Sequence, residues 1–310
     1  MLDVLDPGFI STVQDLGRKG YQQYGVSVGG AADSLALQAA NGLVGNAREE
    51  AALEITLAGP RLQARDRCLI AVTGARFVIT IDGKPVPPDT ALFVRPFSIV
   101  EFGPRRSGAR AYLAVCGGFD VPVLLGSRST NLRGRFGGFR GRRLEPGDRL
   151  DQREKVSSYE AAGRMLPDAF RQYYDDDSPL RVVWGPQLEY FPDEARDHLF
   201  HSTWELAEQS DRMGARLRGE PIPRRGGELL SCGVTLGAIQ VPSDGQPIVL
   251  MADRQPTGGY PIIATVIRAD IPRLAQKTAG DRISFRPVSV LEAREAWLGI
   301  ERLLAAILSR

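Results

Sequence analysis

Lysine, histidine and cysteine are all scarce in this chain, and each scarcity closes a class of chemistry. The four lysines, Lys19, Lys84, Lys155 and Lys277, leave arginine to carry almost the whole basic side, and none of them neighbours a methionine. A Met-Lys-Met site for attached biotin is therefore not expected, and any biotin would have to arrive on another polypeptide. The two histidines, His198 and His201, share one short segment. Without a third His or a nearby Cys they make no metal site, and no Ser–His–acid triad can be assembled around a nucleophile elbow. The three cysteines, Cys68, Cys116 and Cys232, lie far apart in apolar runs. That pattern reads as buried thiols in a reducing compartment, not as a disulfide framework.

Other absences bound the setting. No G-x-x-x-x-G-K-[ST] loop is present to cradle nucleotide phosphates. No run of about 18 uncharged apolar residues is available to span a bilayer. The opening Met1-Leu2-Asp3-Val4-Leu5-Asp6-Pro7 lacks the basic and apolar regions of a secretory signal, so a cytoplasmic protein with no membrane partner is expected. A formal net charge of only +2 gives no ground for nucleic acid as a ligand.

With 310 residues, of which 43% are hydrophobic and 25% charged, the chain is an ordinary globular protein too long for one core. Short apolar stretches cut by Gly and Pro predict many strands: 69–72, 77–81, 98–102, 110–115, 180–183, 237–241, 248–251, 262–266 and 282–285. Asp82-Gly83 supplies the positive φ of a hairpin across Ile81 to Val86. Helices are expected from an Asp33 cap through Asn46, over Asp193 to Leu206, and at the C-terminus, where Ser289 and Glu292 have capping-box spacing. The polar segment 151–178, with its acidic run Asp175-Asp176-Asp177, is the expected linker between domains at 1–150 and 179–310. Faint echoes, AGPRLQ (58–63) with WGPQLE (184–189) and EPGDRL (145–150) with TAGDRI (278–283), hint at two related β domains.

One loop carries more polar chemistry than a turn requires. DRQPTGGYP, Asp253 to Pro261, follows the apolar run 247–251 and offers Asp253 and Arg254 as charges, with Gln255, Thr257 and Tyr260 as hydrogen-bonding groups. Its glycine pair, Gly258-Gly259, would let the backbone turn tightly or approach a ligand closely. A second polar patch, Asp15 and Arg18 with Asp33 beyond Gly29-Gly30, reads first as a structural ion pair and only second as chemistry. A third, LRGRFGGFRGRR (132–143), holds five arginines and two phenylalanines. Placed before a strand signal, it reads as a solvated hairpin or an anion-binding face.

The segments TVQDLGRKGYQQYGVSVGGAAD (12–33), ANGLVGN (40–46), LEITLAGP (53–60), YLAVCGGFDVPVLLGSRST (112–130), GAIQVPSDGQPI (237–248) and DRQPTGGYP together resemble the allophanate hydrolase subunit 2 family. This family is also called carboxyltransferase subdomain A, or KipA-like, and it includes the C subunits of bacterial 5-oxoprolinases. The resemblance implies a mostly β fold: two cyclophilin-like β-barrel domains in tandem, with a few short helices and a C-terminal helix. It implies two partner chains, one KipI-like and one of LamB/YcsF type. The assembly would open the lactam of 5-oxo-L-proline to L-glutamate with ATP, as its Mg complex, held by the assembly as a whole. Alternatives within the family are one half of a biotin-dependent carboxyltransferase, acting on urea or a similar amide, and a regulatory protein that antagonises a KipI-like kinase inhibitor.

Opening an unactivated amide needs cations and N–H donors for developing oxyanion charge, together with a polar clamp for the substrate. For that role the resemblance brings forward Arg128, Ser129 and Thr130 from one half. From the other it brings forward Gln240, Asp253, Gln255, Thr257, Gly258, Gly259 and Tyr260. Asp253, Gln255, Arg128 and Asp15 are the candidate reacting groups, and Arg18 and Asp33 the further binding groups. A small amide-type substrate held between the halves is the expected ligand.

Overall fold

The computed structural model describes residues 1–154, 160–227 and 229–308. The chain is mostly β, with five α-helices among the described residues and sheets that form a half-barrel and a nearly closed barrel. It divides into two compact units. The first comprises Met1–Arg18, Gly29–Tyr173 and Arg302–Arg310, and the second Lys19–Val28 and Tyr174–Glu301. The change of unit at Tyr173 and Tyr174 falls inside the polar segment 151–178. Within that segment helix α2, Asp168–Asp175, is formed; residues 155–159, like 309–310 at the chain end, lie outside the described residues.

The first unit holds β1 (Leu2–Asp6), β2 (Ile10–Gln14), helix α1 (Ser34–Leu43), β3 (Ala52–Thr56), β4 (Arg61–Ala64), β5 (Cys68–Ile81), β6 (Lys84–Pro85), β7 (Ala91–Val94), β8 (Ile99–Val115) and β9 (Arg149–Leu150). Strand order is β2-β3-β8-β4-β1-β9, and β5 pairs with β6, β7 and β8. The sequence pattern divides β5 and β8 into two short strands each; in the structure each is continuous. Register shifts between Gly74 and Arg76, Arg76 and Phe77, and Phe77 and Ile79 break the alternation of side chains while the ladder carries on. A bulge does this by leaving one residue unpaired and bending the strand, so the pattern looks interrupted although the backbone is not. The expected hairpin forms: Asp82 and Gly83 have φ of 52° and 74°, and Ile81 pairs with Lys84.

Inward-facing Val13, Leu53, Ile55, Leu62, Ile70, Val100 and Leu113 are sealed from solvent and build the core of this unit. Each such side chain contributes roughly 1.5–3 kcal/mol. Helix α1 starts where expected, because the Asp33 carboxylate accepts the Ala36 amide at 2.9 Å. Gly42 lets the end of the chain reach α1, since a Cβ there would lie 2.9 Å from Ile307 Cγ2.

The second unit holds β10 (Leu180–Trp184), helix α3 (Asp193–His201), β11 (Trp204–Leu206), β12 (Gly214–Arg218), β13 (Cys232–Gly233), β14 (Ala238–Gln240), β15 (Ile248–Leu250), β16 (Thr257–Gly258), β17 (Ile262–Val266), helix α4 (Ile271–Ala275), β18 (Arg282–Ile283), β19 (Phe285–Pro287) and most of helix α5 (Val290–Leu308). Its main sheet runs β18-β11-β12-β15-β14-β17-β10-β19, and β13 pairs with β16 in a separate two-stranded ladder. The helix expected through Leu206 stops at His201. Ser202 is extended (φ −90°, ψ 151°), and Trp204–Leu206 instead pairs with β12 and β18, which buries the Trp204 ring completely. The capping box of α5 is present: the Ser289 amide donates to Glu292 Oε2 at 2.7 Å, and the Glu292 amide to Ser289 Oγ at 3.2 Å.

Candidate functional site

In the first unit the end of β2 meets the segment Ser127–Thr130. The Asp15 carboxylate is held from several sides. Oδ1 accepts from the Gly17 amide (2.7 Å), the Ser127 hydroxyl (2.7 Å) and the Ser129 hydroxyl (2.5 Å), and Oδ2 from the Arg128 amide (2.5 Å). The same hydroxyls return the connection, Ser129 Oγ accepting the Asp15 amide and Ser127 Oγ the Ser129 amide, both at 2.9 Å. Thr130 donates its hydroxyl to the Val13 carbonyl at 2.9 Å, and its own carbonyl accepts from Gln14 Nε2 at 3.2 Å. Asp15 and GSRST are thus brought together as a closed knot that fixes the loop after Gly126 to the end of β2. Ser129 and Thr130 are fully buried in it.

Arg18 also joins this knot. Its Nη2 donates to the Ser129 carbonyl, and its guanidinium lies 4.9 Å from the centre of the Phe136 ring. Gly137 and Gly138 have positive φ (70° and 54°) and leave no room for a Cβ, which at Gly138 would sit 1.9 Å from Thr130 Oγ1. The arginine-rich loop is therefore organised around its two phenylalanines. Arg140 and Arg142 lie over Phe139, and Arg142 forks onto Asp148 at 2.6 and 2.7 Å. Arg128 sends its side chain toward Glu50, 3.9 Å away, while Glu50 is bonded by Arg153 at 2.6 Å.

Asp33 is occupied elsewhere. Besides capping α1, its amide donates to the Tyr112 hydroxyl at 2.8 Å, and that hydroxyl donates to Glu54 at 2.6 Å. Burial first, and then the neighbouring Glu54 and Asp33 carboxylates, push the Tyr112 phenol well above its usual range. Glu54 and Tyr112 have no local signal in the sequence: they are paired across β3 and β8 on the face opposite the core residues Leu53 and Leu113, yet both are buried.

In the second unit DRQPTGGYP leaves β15 and passes through β16. Asp253 is clamped bidentately by Arg212, Nε to Oδ2 at 2.8 Å and Nη2 to Oδ1 at 3.0 Å, and the Asp253 amide donates to the Arg212 carbonyl at 2.7 Å. Arg212 lies in a polar turn 41 residues upstream, with nothing in its own segment to mark it. Gln240, buried at the end of β14, reaches the carbonyl of Tyr260 with Nε2 at 3.4 Å. Its amide also sits against Gly258, where a Cβ would lie 2.7 Å from Gln240 Nε2 and 3.5 Å from Gln255 Nε2. Two carboxamides therefore converge on one glycine. Neither Gly258 nor Gly259 has a left-handed φ. Their lack of a side chain, and not freedom to turn, is what the fold uses. Thr257 and Tyr260 are exposed at the rim. Arg254 is turned inward and 9% exposed.

The histidines stay apart from these loops. His198 contacts the Glu220 carbonyl at 2.8 Å and the edge of Trp204, and His201 contacts the Asp197 carbonyl at 2.8 Å. Among the described residues no group of three or more His, Cys, Asp or Glu is arranged to hold a metal ion, and no helix is long and apolar enough to cross a membrane.

Residues 24–287 match the family model described as carboxyltransferase domain, subdomain A and B, and the chain belongs to that family. Its relatives include proteins of two names. It is 42% identical over 299 residues to the C subunit of 5-oxoprolinase from Escherichia coli (96% of this chain, 94% of that one). It is 39% identical over 294 residues to the Haemophilus influenzae protein of the same name (94% and 93%). The crystal structure of K. lactis urea amidolyase superimposes on 99% of this chain with TM-score 0.91 at 31% identity, but the match spans 20% of that much longer chain.

Proposed function

We propose that this chain is the C subunit of an ATP-dependent 5-oxoprolinase, inactive alone. It would act with a KipI-like partner chain and a LamB/YcsF-type partner chain to open 5-oxo-L-proline to L-glutamate. The observation that carries this reading is the match, nearly end to end on both sides, to two proteins named as 5-oxoprolinase C subunits. A protein of that name implies companion subunits.

The geometry gives the loops distinct parts in such a reaction. Cleaving the lactam breaks the bond between carbonyl carbon and ring nitrogen; the carbon gains a water oxygen and the nitrogen becomes the amine of glutamate. An amide substrate presents one N–H donor and one carbonyl acceptor, and a carboxamide side chain offers both in return. Gln240 and Gln255, converging at Gly258, are the groups we assign to gripping it, with Thr257 and Tyr260 at the rim. Asp253 has both oxygens on Arg212, and Asp15 receives four donors. We assign these two carboxylates to holding their loops in place, not to proton transfer. The described residues offer neither a Walker A cradle nor a cluster of carboxylates for Mg. No step is routed through ATP on this chain; the nucleotide is assigned to the assembly as a whole.

Carboxyl transfer to urea is the second reading, favoured by the superposition on urea amidolyase. Reconstitution with the two partner chains separates the readings: release of ADP and glutamate that depends on 5-oxoproline and on all three chains supports the first. A complex that is silent with 5-oxoproline, but accepts a carboxyl group from a biotin carrier, refutes it.

A further inference from the structure

The second unit neutralises its inward arginines with care. Arg181 forks onto Asp270, closing to 2.6 Å. Arg212 forks onto Asp253. Arg273 donates to the carbonyls of Asp176 and Ser178 and lies within ion-pair distance of Asp176. Arg254 is the exception. It is buried, yet its guanidinium makes one long hydrogen bond, Nη1 to the Met251 carbonyl at 3.4 Å, and no ion pair among the described residues. Its Nε is sealed from solvent with no acceptor at all. Nη2 also lacks a protein acceptor but is not sealed from solvent. The adjacent Asp253 does not pair with it; its carboxylate is held by Arg212. Burial alone lowers its affinity for the proton.

An uncompensated buried cation weakens a fold, whereas an apolar side chain of similar volume would not. Such a group is retained at a cost unless an anion arrives to meet it. It sits one residue before Gln255, in the loop where two carboxamides converge at Gly258. A guanidinium is the side chain that matches a planar carboxylate with two parallel N–H bonds.

We propose that Arg254 is the receptor for the carboxylate of the substrate, and that it makes this chain select an anionic amide over a neutral one. The proposal rests on the amide-opening function given above and deepens it. 5-Oxoproline carries a carboxylate beside its lactam, while urea has none. On this proposal one molecule places its amide against Gln240 and Gln255 and its carboxylate on Arg254. A phosphate group shares the oxyanion chemistry and is the alternative source to be separated by experiment.

The test uses the assembly of all three chains, with this chain as wild type, Arg254→Met or Arg254→Lys. It measures kcat and KM for 5-oxoproline, KM for ATP, and melting shifts with 5-oxoproline, the neutral lactam 2-pyrrolidinone, and inorganic phosphate. Loss of a charge-assisted pair predicts that Arg254→Met raises KM for 5-oxoproline about 10- to 100-fold and leaves KM for ATP unchanged. Arg254→Lys recovers part of the loss. The unliganded melting temperature of Arg254→Met stays equal or rises, because a buried charge is gone; a clear fall would overturn the proposal in favour of a structural role. An unchanged KM for 5-oxoproline overturns it, and so does a rise confined to ATP together with a lost phosphate shift, which would identify a phosphate site. If the wild-type assembly shows no turnover of 5-oxoproline, the oxoprolinase reading fails and the melting shifts still decide Arg254. A wild-type shift with 5-oxoproline exceeding that with 2-pyrrolidinone, and lost in Arg254→Met, supports it. Equal shifts, or none, overturn it.

Discussion

The Arg212–Asp253 clamp can be weighed by a double-mutant cycle. The two side chains are 12% and 14% exposed and share two hydrogen bonds of 2.8 and 3.0 Å. Removing one partner of such a pair strands the other charge in a poorly solvated position, at a cost near the low end of about 3–5 kcal/mol. Asp253→Ala and Arg212→Ala are each expected to lose about 3 kcal/mol. For a unit of this size that is a fall in melting temperature on the order of 10 °C. The double variant, with both charges gone, is expected to lose much less than the sum, leaving a coupling of roughly 1–3 kcal/mol. Urea unfolding of the four proteins, followed by circular dichroism, measures this directly. If the two single losses simply add, or if Asp253→Ala melts like wild type, Asp253 is no brace, and its role as a reacting carboxylate returns to the front.

Three further outcomes follow from the same geometry. Gly258→Ala should leave the fold intact but displace the flexible end of Gln240, whose Nε2 would be 2.7 Å from the new Cβ; turnover should fall at least about tenfold while the melting temperature moves little. Gly138→Ala should fail differently, because its φ of 54° and a Cβ 1.9 Å from Thr130 Oγ1 force the knot apart; a loss of about 3 kcal/mol or more, seen as poor expression or early melting, is expected. Burial raises the Cys68 thiol from 9.0 to about 11. The unfolded chain therefore releases this proton first, so the contribution is unchanged below about pH 9. Stability is then lost, up to about 3 kcal/mol, as pH rises from about 9 through 11. Cys68→Ala should flatten that part of the urea-midpoint profile, and an unchanged profile would contradict the assignment.

What was legible in the sequence is what acts within a few residues. Asp33 capping Ala36, Ser289 with Glu292, and the Asp82-Gly83 hairpin all came through, because donor and acceptor are close along the chain. The mostly β character was legible too, in short apolar stretches cut by Gly and Pro, and the family resemblance agrees with it. The chain-distant contacts were not legible. The bonds from Asp15 to Ser127 and Ser129 span more than a hundred residues, and nothing in GSRST says that its hydroxyls are already spent. DRQPTGGYP stood out by its polar content, but its sequence does not tell which charge is clamped and which is left bare. Arg254 was visible as a charge and invisible as a buried, unneutralised one. The bulges in β5 erased the alternation that would have revealed one long strand. The strand at Trp204 was lost because the preceding helix signal has no stop residue stronger than Ser202.

The most direct measurement mixes this chain with the KipI-like and LamB/YcsF-type chains proposed as its partners and follows ADP release and glutamate formation with and without 5-oxoproline. The account predicts ATP hydrolysis that requires the substrate and all three chains, with glutamate and ADP appearing in parallel. Stable association of the three chains without 5-oxoproline-dependent turnover would contradict it.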